Sequence, residues 1–254
     1  MATIILVHGF LGFGGVPGDF ISYFRGIKQR YEAGNIHQVY CPNLGALGLV
    51  ADRAATLASF IRKEVPASAA PLHLIAHSRG GLDSRLMLAM NPDIAGRTHR
   101  LVTVATPHFG TPVATHVLDL LRVPPILNPL GPLAPDLLKS LQELTPVGVT
   151  LAPKVTPVSY VSIACDAANV VLSPLPFGAT QRLGAFGNLP NDGLVGLDSA
   201  LCDPAATTPR SGCWPVDHAA AVGWPTDPAS VFHPTRFQAE HIARYEALLV
   251  TLLA

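Results

Sequence analysis

Charged residues are scarce in this chain. Only 13% of its 254 residues are Asp, Glu, Lys or Arg, and the 17 acidic and 17 basic residues cancel. There is no run of like charge of the kind that binds nucleic acid, so we expect no nucleic-acid partner. Hydrophobic residues make up 49% of the chain, which is enough to bury a large core. The length suits a single α/β domain over residues 1–254 that carries an insertion.

Cysteine is also rare, with four residues at positions 41, 165, 202 and 213. None forms a C-x-x-C pair, which argues against a structural zinc site. Cys202 and Cys213 bracket a loop rich in Pro, Thr and Ser. The sequence leaves open whether these two form a disulfide or remain thiols.

Segments for membranes, secretion and nucleotides are missing as well. No apolar run is long enough to span a bilayer, and no signal peptide is visible before the first strand. We therefore expect a cytoplasmic protein, or a secreted one whose leader an initiator methionine replaces. The glycine-rich stretch after the first strand lacks both G-x-x-x-x-G-K-S/T and G-x-G-x-x-G, the phosphate-binding patterns. We expect no cofactor.

Short apolar runs alternate with amphipathic segments along the chain. The apolar, partly β-branched runs predict buried strands at 3–7, 37–41, 72–76, 101–105 and 158–164. The periodic segments predict helices at 20–31, 50–65, 79–90 and 236–253. This alternation predicts an α/β fold with a mostly parallel central sheet flanked by helices. Reactive groups then gather at the carboxyl ends of the strands.

The stretch at 111–157 differs in character. It holds nine prolines and apolar helical pieces at 113–121 and 137–144, but no strand pattern. Its many leucines argue against disorder. We predict a short helical cap, or lid, inserted over the active edge of the sheet.

The stretch L-H-L-I-A-H-S-R-G-G-L at 72–82 places a serine between a predicted strand and a predicted helix. Ala76 and Gly80 flank Ser78 two residues to either side, the pattern of a nucleophile elbow. Larger side chains at these positions would collide as the strand and helix backbones approach. Amides at the start of the helix also hold negative charge near the hydroxyl. The alternative is an ordinary turn with a capping serine.

A serine hydroxyl needs a neighbouring base to accept its proton and a third group to orient that base. In α/β-hydrolases these follow in the order serine, acid, histidine. The acid candidates are Asp166, Asp192, Asp198 and Asp203, and the histidine candidates are His218, His233 and His241. We favour Asp192, in a tight N-D-G turn, ahead of Asp198. We favour His218 ahead of His233, and we predict that His241, within the last helix, is solvated.

Four motifs in order resemble one family: H-G-F-L-G-F, A-H-S-R-G-G-L-D-S-R, A-T-P-H-F-G-T and N-D-G-L-V-G. They are similar to those of bacterial triacylglycerol lipases of the α/β-hydrolase fold, the Pseudomonas type in particular. The resemblance implies Ser78 as nucleophile, Asp192 as acid and His218 as base. It also implies an oxyanion hole made by the backbone N–H groups of Phe10 and Arg79, with the segment at 111–157 as the lid.

The chain departs from that family at its calcium site. The family holds a structural calcium with two carboxylates, and the matching positions here are Ser173 and Ala220. Hard oxygen sites bind Ca²⁺ poorly without carboxylates, so we predict no metal. Ala76 stands where most of the family has glycine, and the cap is shorter than in the Pseudomonas type.

Several polar residues near the motifs have structural interpretations. We expect Asp83 and Arg85 to form a polar network under the sheet edge. His77 is expected to pack or hydrogen-bond beside the serine, and His8 and His108 to hold loops.

The sequence thus predicts a serine carboxylic-ester hydrolase, a lipase or esterase acting on lipid-like or aliphatic polyester substrates. Alternatives are an acyltransferase that uses the same three residues, a polyhydroxyalkanoate depolymerase, or a non-catalytic binding protein of the same fold. Low charge and an apolar cap favour adsorption to an oil–water interface. The oligomeric state is not indicated.

Overall fold

A parallel sheet of five strands organises the molecule. The computed structural model describes residues 1–10, 23–69, 71–121, 134–167, 186–187, 189–205 and 213–254. The strands are β1 (Ala2–Val7), β2 (His37–Tyr40), β3 (Leu72–His77), β4 (Thr98–Val104) and β5 (Ser159–Ile163). They lie in the order β2-β1-β3-β4-β5, and every neighbouring pair is parallel. The predicted parallel sheet is confirmed, with all five strands at the expected places.

Helices cover the sheet on both sides. They are α1 (Ile27–Glu32), α2 (Val50–Glu64), α3 (Gly80–Met90), α4 (Pro92–Ala95), α5 (Pro112–Leu121), α6 (Ala134–Gln142), α7 (Leu197–Leu201), α8 (Pro228–Phe232) and α9 (Pro234–Leu253). The helix predicted at 20–31 begins only at Ile27 in the structure. Gly26 precedes it with a left-handed φ of 76°, a conformation that glycine adopts without strain and that ends a helix. Positions 11–22 lie outside the described residues.

Two apolar cores form because alternate residues of a strand face opposite sides of the sheet. On one face, Ile4 and Leu6 of β1 pack with Tyr245 of α9. On the other face, Ile5 of β1 packs with Leu57 of α2. All five side chains are buried. The single sheet therefore has an apolar core on each of its two faces.

His241 corrects a prediction. The sequence predicted a solvated side chain, but His241 is 0% exposed and its ring lies 5.0 Å from that of Tyr245. The reason is its place in the helix, since Phe237, His241 and Tyr245 repeat at the four-residue spacing of the buried stripe. Burial lowers the pKa of His241 to about 3, so the ring is neutral.

Thr111, at the beginning of the cap segment, makes two hydrogen bonds to other parts of the chain. The Thr111 amide donates to the Leu144 carbonyl at 2.8 Å, and the Thr111 hydroxyl donates to the carbonyl of Leu194. Helices α5 and α6 lie between Thr111 and Leu144 in the chain. They pack against each other and match the predicted helical pieces. Residues 122–133 lie outside the described residues. The role of the segment as a lid stays a prediction.

The cysteines are free thiols, so the structure favours the thiol alternative for Cys202 and Cys213. In the described ranges, no helix combines the length and apolar character that crossing a membrane requires.

Buried neutral histidines predict acid sensitivity of the fold. Burial lowers the pKa of His8 to about 4, and those of His108 and His241 to about 3, whereas in the unfolded chain they titrate near 6.5. Below pH 6.5 the unfolded state therefore binds more protons. The free energy of unfolding should fall as pH decreases, by about 1.4 kcal/mol per pH unit for each such histidine.

Urea unfolding between pH 7.5 and 5 measures this slope. His241→Leu should make the slope shallower, while His233→Gln, at an exposed position, should leave it unchanged. An unchanged slope in His241→Leu would contradict the assignment of His241 as neutral in the folded state.

Candidate active site

Ser78 occupies a strained turn between β3 and α3. Its φ is +55°, in the left-handed region that a non-glycine residue enters at a cost of about 1–3 kcal/mol. Two hydrogen bonds hold the turn: the Ser78 amide donates to the Val104 carbonyl at 2.9 Å, and the Thr106 hydroxyl donates to the Ser78 carbonyl at 2.8 Å. The side chain is therefore presented at the carboxyl end of β3 by a turn whose backbone is fixed on both sides.

Glycines allow this turn to approach β1. A Cβ added to Gly80 would lie 2.7 Å from the carbonyl oxygens of both Val7 and His8, and one added to Gly9 would lie 2.7 Å from the Cβ of Ser78. Real Cβ atoms do not come this close to backbone oxygens, so position 80 accepts only glycine. At position 9 an added Cβ would collide with the side chains of Ser78 and Tyr23. The predicted reason for small residues around the serine is confirmed at Gly80.

The three residues predicted for catalysis form a hydrogen-bonded row. His218 Nε2 lies 2.9 Å from Ser78 Oγ, and His218 Nδ1 lies 2.7 Å from Asp192 Oδ2. All three side chains are buried. Because a carboxylate can only accept, Nδ1 carries the proton and Nε2 is left as the acceptor that faces the hydroxyl.

The loop at 191–195 fixes the carboxylate. Asp192 Oδ1 accepts the amides of Leu194 and Val195 at 2.9 and 2.7 Å, which leaves Oδ2 for the histidine. The Asp192 carbonyl also accepts the His218 amide at 3.0 Å. Both the side chain and the backbone of Asp192 therefore hold the segment that carries the ring.

The alternative candidates lie elsewhere. His233 is exposed at the start of α9, and Asp198 is half-buried in the helix Leu197–Leu201. His77 packs its ring 4.6 Å from that of His218, and its Nδ1 lies 2.7 Å from the Tyr23 hydroxyl. Burial, and then the nearby His218, lowers the pKa of His77 well below its ordinary value. His77 thus stays neutral beside the base, as a packing and hydrogen-bonding residue.

A buried ionic network lies behind the elbow. Arg53 Nε donates to Asp83 Oδ2 at 2.8 Å, and Arg79 Nη2 donates to Glu143 Oε2 at 2.9 Å. Asp83 therefore belongs to a structural network, as predicted. Arg85 does not, because it donates to the Ala152 carbonyl at 3.0 and 2.6 Å.

Arg53 is a residue that the sequence interpretation missed. A charged side chain is typical of the solvated side of a helix such as α2, yet Arg53 is 1% exposed. The signal was present in the spacing, since Arg53, Leu57 and Ile61 repeat every four residues along the buried stripe. The charge of the residue suggests exposure, whereas its position in the helix indicates burial.

Two backbone amides near Ser78 have no acceptor among the described residues. Among the described residues, neither the Phe10 amide nor the Arg79 amide donates a hydrogen bond. Phe10 follows Gly9, where an added Cβ would lie 2.7 Å from the Cβ of Ser78, and Arg79 follows Ser78 directly. The role of these two amides as oxyanion donors stays a prediction.

No group of three or more His, Cys, Asp or Glu suited to a metal occurs in the described part of the chain. Two positions match the calcium carboxylates of the resembled family. Ala220 begins a short buried helix at Ala220–Val222, and Ser173 lies outside the described residues.

Sheet order, elbow and site order together define a class. A parallel sheet in the order β2-β1-β3-β4-β5 carries a serine after β3, and an acid and a histidine follow β5 in the chain. This is the arrangement of the α/β-hydrolase fold. The chain therefore has the α/β-hydrolase fold.

Sequence relatives agree with this class. No protein-family model matches the chain. It is 29% identical over 220 residues to triacylglycerol lipase 2 of Saccharomyces cerevisiae, which covers 80% of this chain and 63% of that protein. It is 31% identical over 128 residues to a triacylglycerol lipase of Pseudarthrobacter phenanthrenivorans, covering 48% of this chain and 38% of the relative. The chain thus spans less than two thirds of the length of these relatives.

Solved structures give the same fold at lower identity. Lipase 1 from Pelosinus fermentans superposes with a TM-score of 0.67 at 17% identity, over 99% of this chain and 98% of that one. A metagenomic carboxyl esterase also gives 0.67, at 21% identity, over 96% and 75% of the two chains. The predicted fold, and the resemblance to bacterial lipases, are confirmed.

The elbow geometry predicts a strong stability effect at Gly80. Gly80→Ala places a methyl group 2.7 Å from two backbone oxygens, and such overpacking costs about 1–3 kcal/mol. Gly96→Ala is the matched control, because Gly96 has an ordinary φ of −63° and its added Cβ comes no closer than 3.3 Å to another atom. Urea unfolding of both variants tests this. Equal stability of the two would contradict the close approach of α3 to β1.

Proposed function

We propose that this protein is a serine carboxylic-ester hydrolase. The single observation that carries the proposal is the row from Ser78 through His218 to Asp192, with spacings of 2.9 and 2.7 Å. A neutral imidazole with its proton on Nδ1 has its basic nitrogen towards the serine hydroxyl, which is the arrangement that activates a serine.

Acyl transfer then proceeds in two halves. His218 Nε2 accepts the Ser78 proton as Ser78 Oγ bonds to the ester carbonyl carbon, and Asp192 stabilises the imidazolium that forms. The tetrahedral intermediate collapses, and His218 gives its proton to the leaving alkoxide, which departs as an alcohol. Water attacks the acyl-enzyme by the reverse proton transfers and releases the acid and free Ser78.

The amides of Phe10 and Arg79 are the proposed oxyanion donors. Both lie beside Ser78, and neither donates to another described residue. Each such donor contributes about 2.7–4 kcal/mol to transition-state stabilisation in comparable sites.

Esters with apolar acyl chains are the proposed substrates. Phe10 packs into an apolar cluster with Leu82, Ala114 of α5 and Leu144, so the proposed oxyanion loop lies against apolar side chains of the cap. The relatives named as triacylglycerol lipases support the same class. In this proposal the segment at 111–157 is the lid, and adsorption to an oil–water interface accompanies catalysis.

Substitution of the three residues tests the mechanism. Ser78→Ala and His218→Gln should lower kcat for a p-nitrophenyl ester by about 10⁴-fold or more, and Asp192→Asn by about 10⁴-fold because the imidazole loses its tautomer. The controls are His233→Gln and Asp198→Asn, which replace the same residue types outside the row. Full turnover by Ser78→Ala would reject the assignment of the three catalytic residues. So would loss of activity in a control variant while the matching variant of the row stays active.

A hydrolysis profile tests the substrate class. We expect rates on p-nitrophenyl esters to rise from acetyl to medium acyl chains, because a longer chain buries more apolar surface at about 25 cal/mol per Å². An increase at the point where a triglyceride forms an emulsion would identify a lipase. A simple saturation curve restricted to short esters would identify an esterase and exclude the lid role of the cap.

A further inference from the structure

A buried guanidinium lies behind the loop that follows β1. Arg53 Nη2 donates to the His8 carbonyl at 2.9 Å and to the Gly9 carbonyl at 3.3 Å. Both carbonyl oxygens belong to the two peptide units immediately before Phe10. The side chain thus binds the backbone that leads directly to a proposed oxyanion donor.

The other two nitrogens of the forked Arg53 guanidinium donate to other elements of the fold. Nε donates to Asp83 of α3 at 2.8 Å, and Nη1 donates to the Gly45 carbonyl. Since the guanidinium is planar and its donors have a fixed geometry, these anchors determine where Nη2 is held. Arg53 therefore links the loop after β1 to α3 and to the loop after β2.

His8 holds the same carbonyl from a second direction. Its Nε2 accepts the Leu44 amide at 2.9 Å, so in the neutral ring the proton is on Nδ1. That Nδ1 lies 2.9 Å from the Gly9 carbonyl and donates to it. Burial, together with the charge of Arg53, lowers the pKa of His8 to about 4, which keeps the ring neutral at neutral pH.

The position of the Gly9 carbonyl determines the direction of the Phe10 amide. The peptide between them is trans, since the described residues contain one cis bond, at Thr156-Pro157. In a trans peptide the C=O and the following N–H point in opposite directions. With the oxygen held towards Arg53 and His8, the Phe10 N–H is turned away from them.

We infer that Arg53 and His8 are positioning residues that orient the Phe10 amide for oxyanion binding. The inference rests on the proposed function, and in particular on the role of the Phe10 amide. Neither side chain contacts the reacting atoms in this view. They act by holding one peptide plane in the orientation that the transition state needs.

The test compares an oxygen ester with its thionoester, in which sulfur replaces the carbonyl oxygen. Sulfur is larger and a weaker acceptor, so the rate ratio of the two esters reports on the oxyanion donors. Arg53→Lys keeps a positive charge for Asp83 but removes the fork. We expect kcat on the oxygen ester to fall by up to about 10²-fold, with KM nearly unchanged. The ratio of the oxygen-ester rate to the thionoester rate should also fall.

Arg85→Lys is the matched control. Arg85 is also buried and donates two hydrogen bonds to one carbonyl, that of Ala152, which lies on a different loop. It should keep the wild-type ratio even if its rates decline. A wild-type ratio in Arg53→Lys, with or without slower turnover, would overturn the inference for Arg53.

A second pair of variants decides the question if Arg53→Lys does not fold. His8→Leu removes the donor to the Gly9 carbonyl, whereas His8→Asn places an amide N–H near the position of Nδ1. We expect a lower ratio in His8→Leu than in His8→Asn, and equal ratios would overturn the inference for His8. Failure of the proposed function is separate, because it would appear as full ester turnover by Ser78→Ala.

Discussion

The contact between the end of β1 and the start of α3 is the constraint on which the site depends. A Cβ added to Gly80 would lie 2.7 Å from the carbonyl oxygens of Val7 and His8. The start of α3 is therefore so close to the end of β1 that only a glycine fits between them. That proximity leaves room for Ser78 beside Gly9, the residue before Phe10, whose amide is a proposed oxyanion donor. A larger residue at either glycine would push the turn away from β1 and its loop.

Polar groups are buried around this contact in two sets that serve different ends. On the side of His218, hydrogen bonds fix one ring and one carboxylate. Behind the elbow, Arg53, Asp83, Arg79 and Glu143 form ion pairs. Burying charge is costly unless every partner is present, so this network adds little net stability. Its value lies in specifying where the loops at 8–10 and 44–50 sit relative to α3.

Sequence patterns predicted the parts of the molecule that obey local rules. The turn at Ser78 was predictable because strand, turn and helix are contiguous. The closeness of Asp192 and His218 to Ser78 was predictable because chain order in this fold brings the loops after later strands to one sheet edge. Their catalytic roles stay a proposal.

The burial of Arg53 and of His241 was not predicted, for a shared physical reason. Both side chains lie in the buried stripes of long helices, although their residue types favour solvent. A side chain that is normally hydrated becomes buried when a nearby partner or a neutral state compensates for lost water. Arg53 has such a partner in Asp83, 30 residues away, and His241 is buried in its neutral state. Neither condition is visible in a local window of sequence.

The hydrogen bond between Thr111 and Leu144 has a consequence for how this fold diversifies. It places the two ends of the intervening chain side by side, while Ser140 and Glu143 near the second end also contact Gly48 and Arg79. The entropy of closing such a loop grows only with the logarithm of its length. Segments of other lengths between Thr111 and Leu144 therefore cost little additional free energy as long as the contacts of Ser140 and Glu143 are kept, so this stretch can change in evolution or by engineering without rebuilding the sheet.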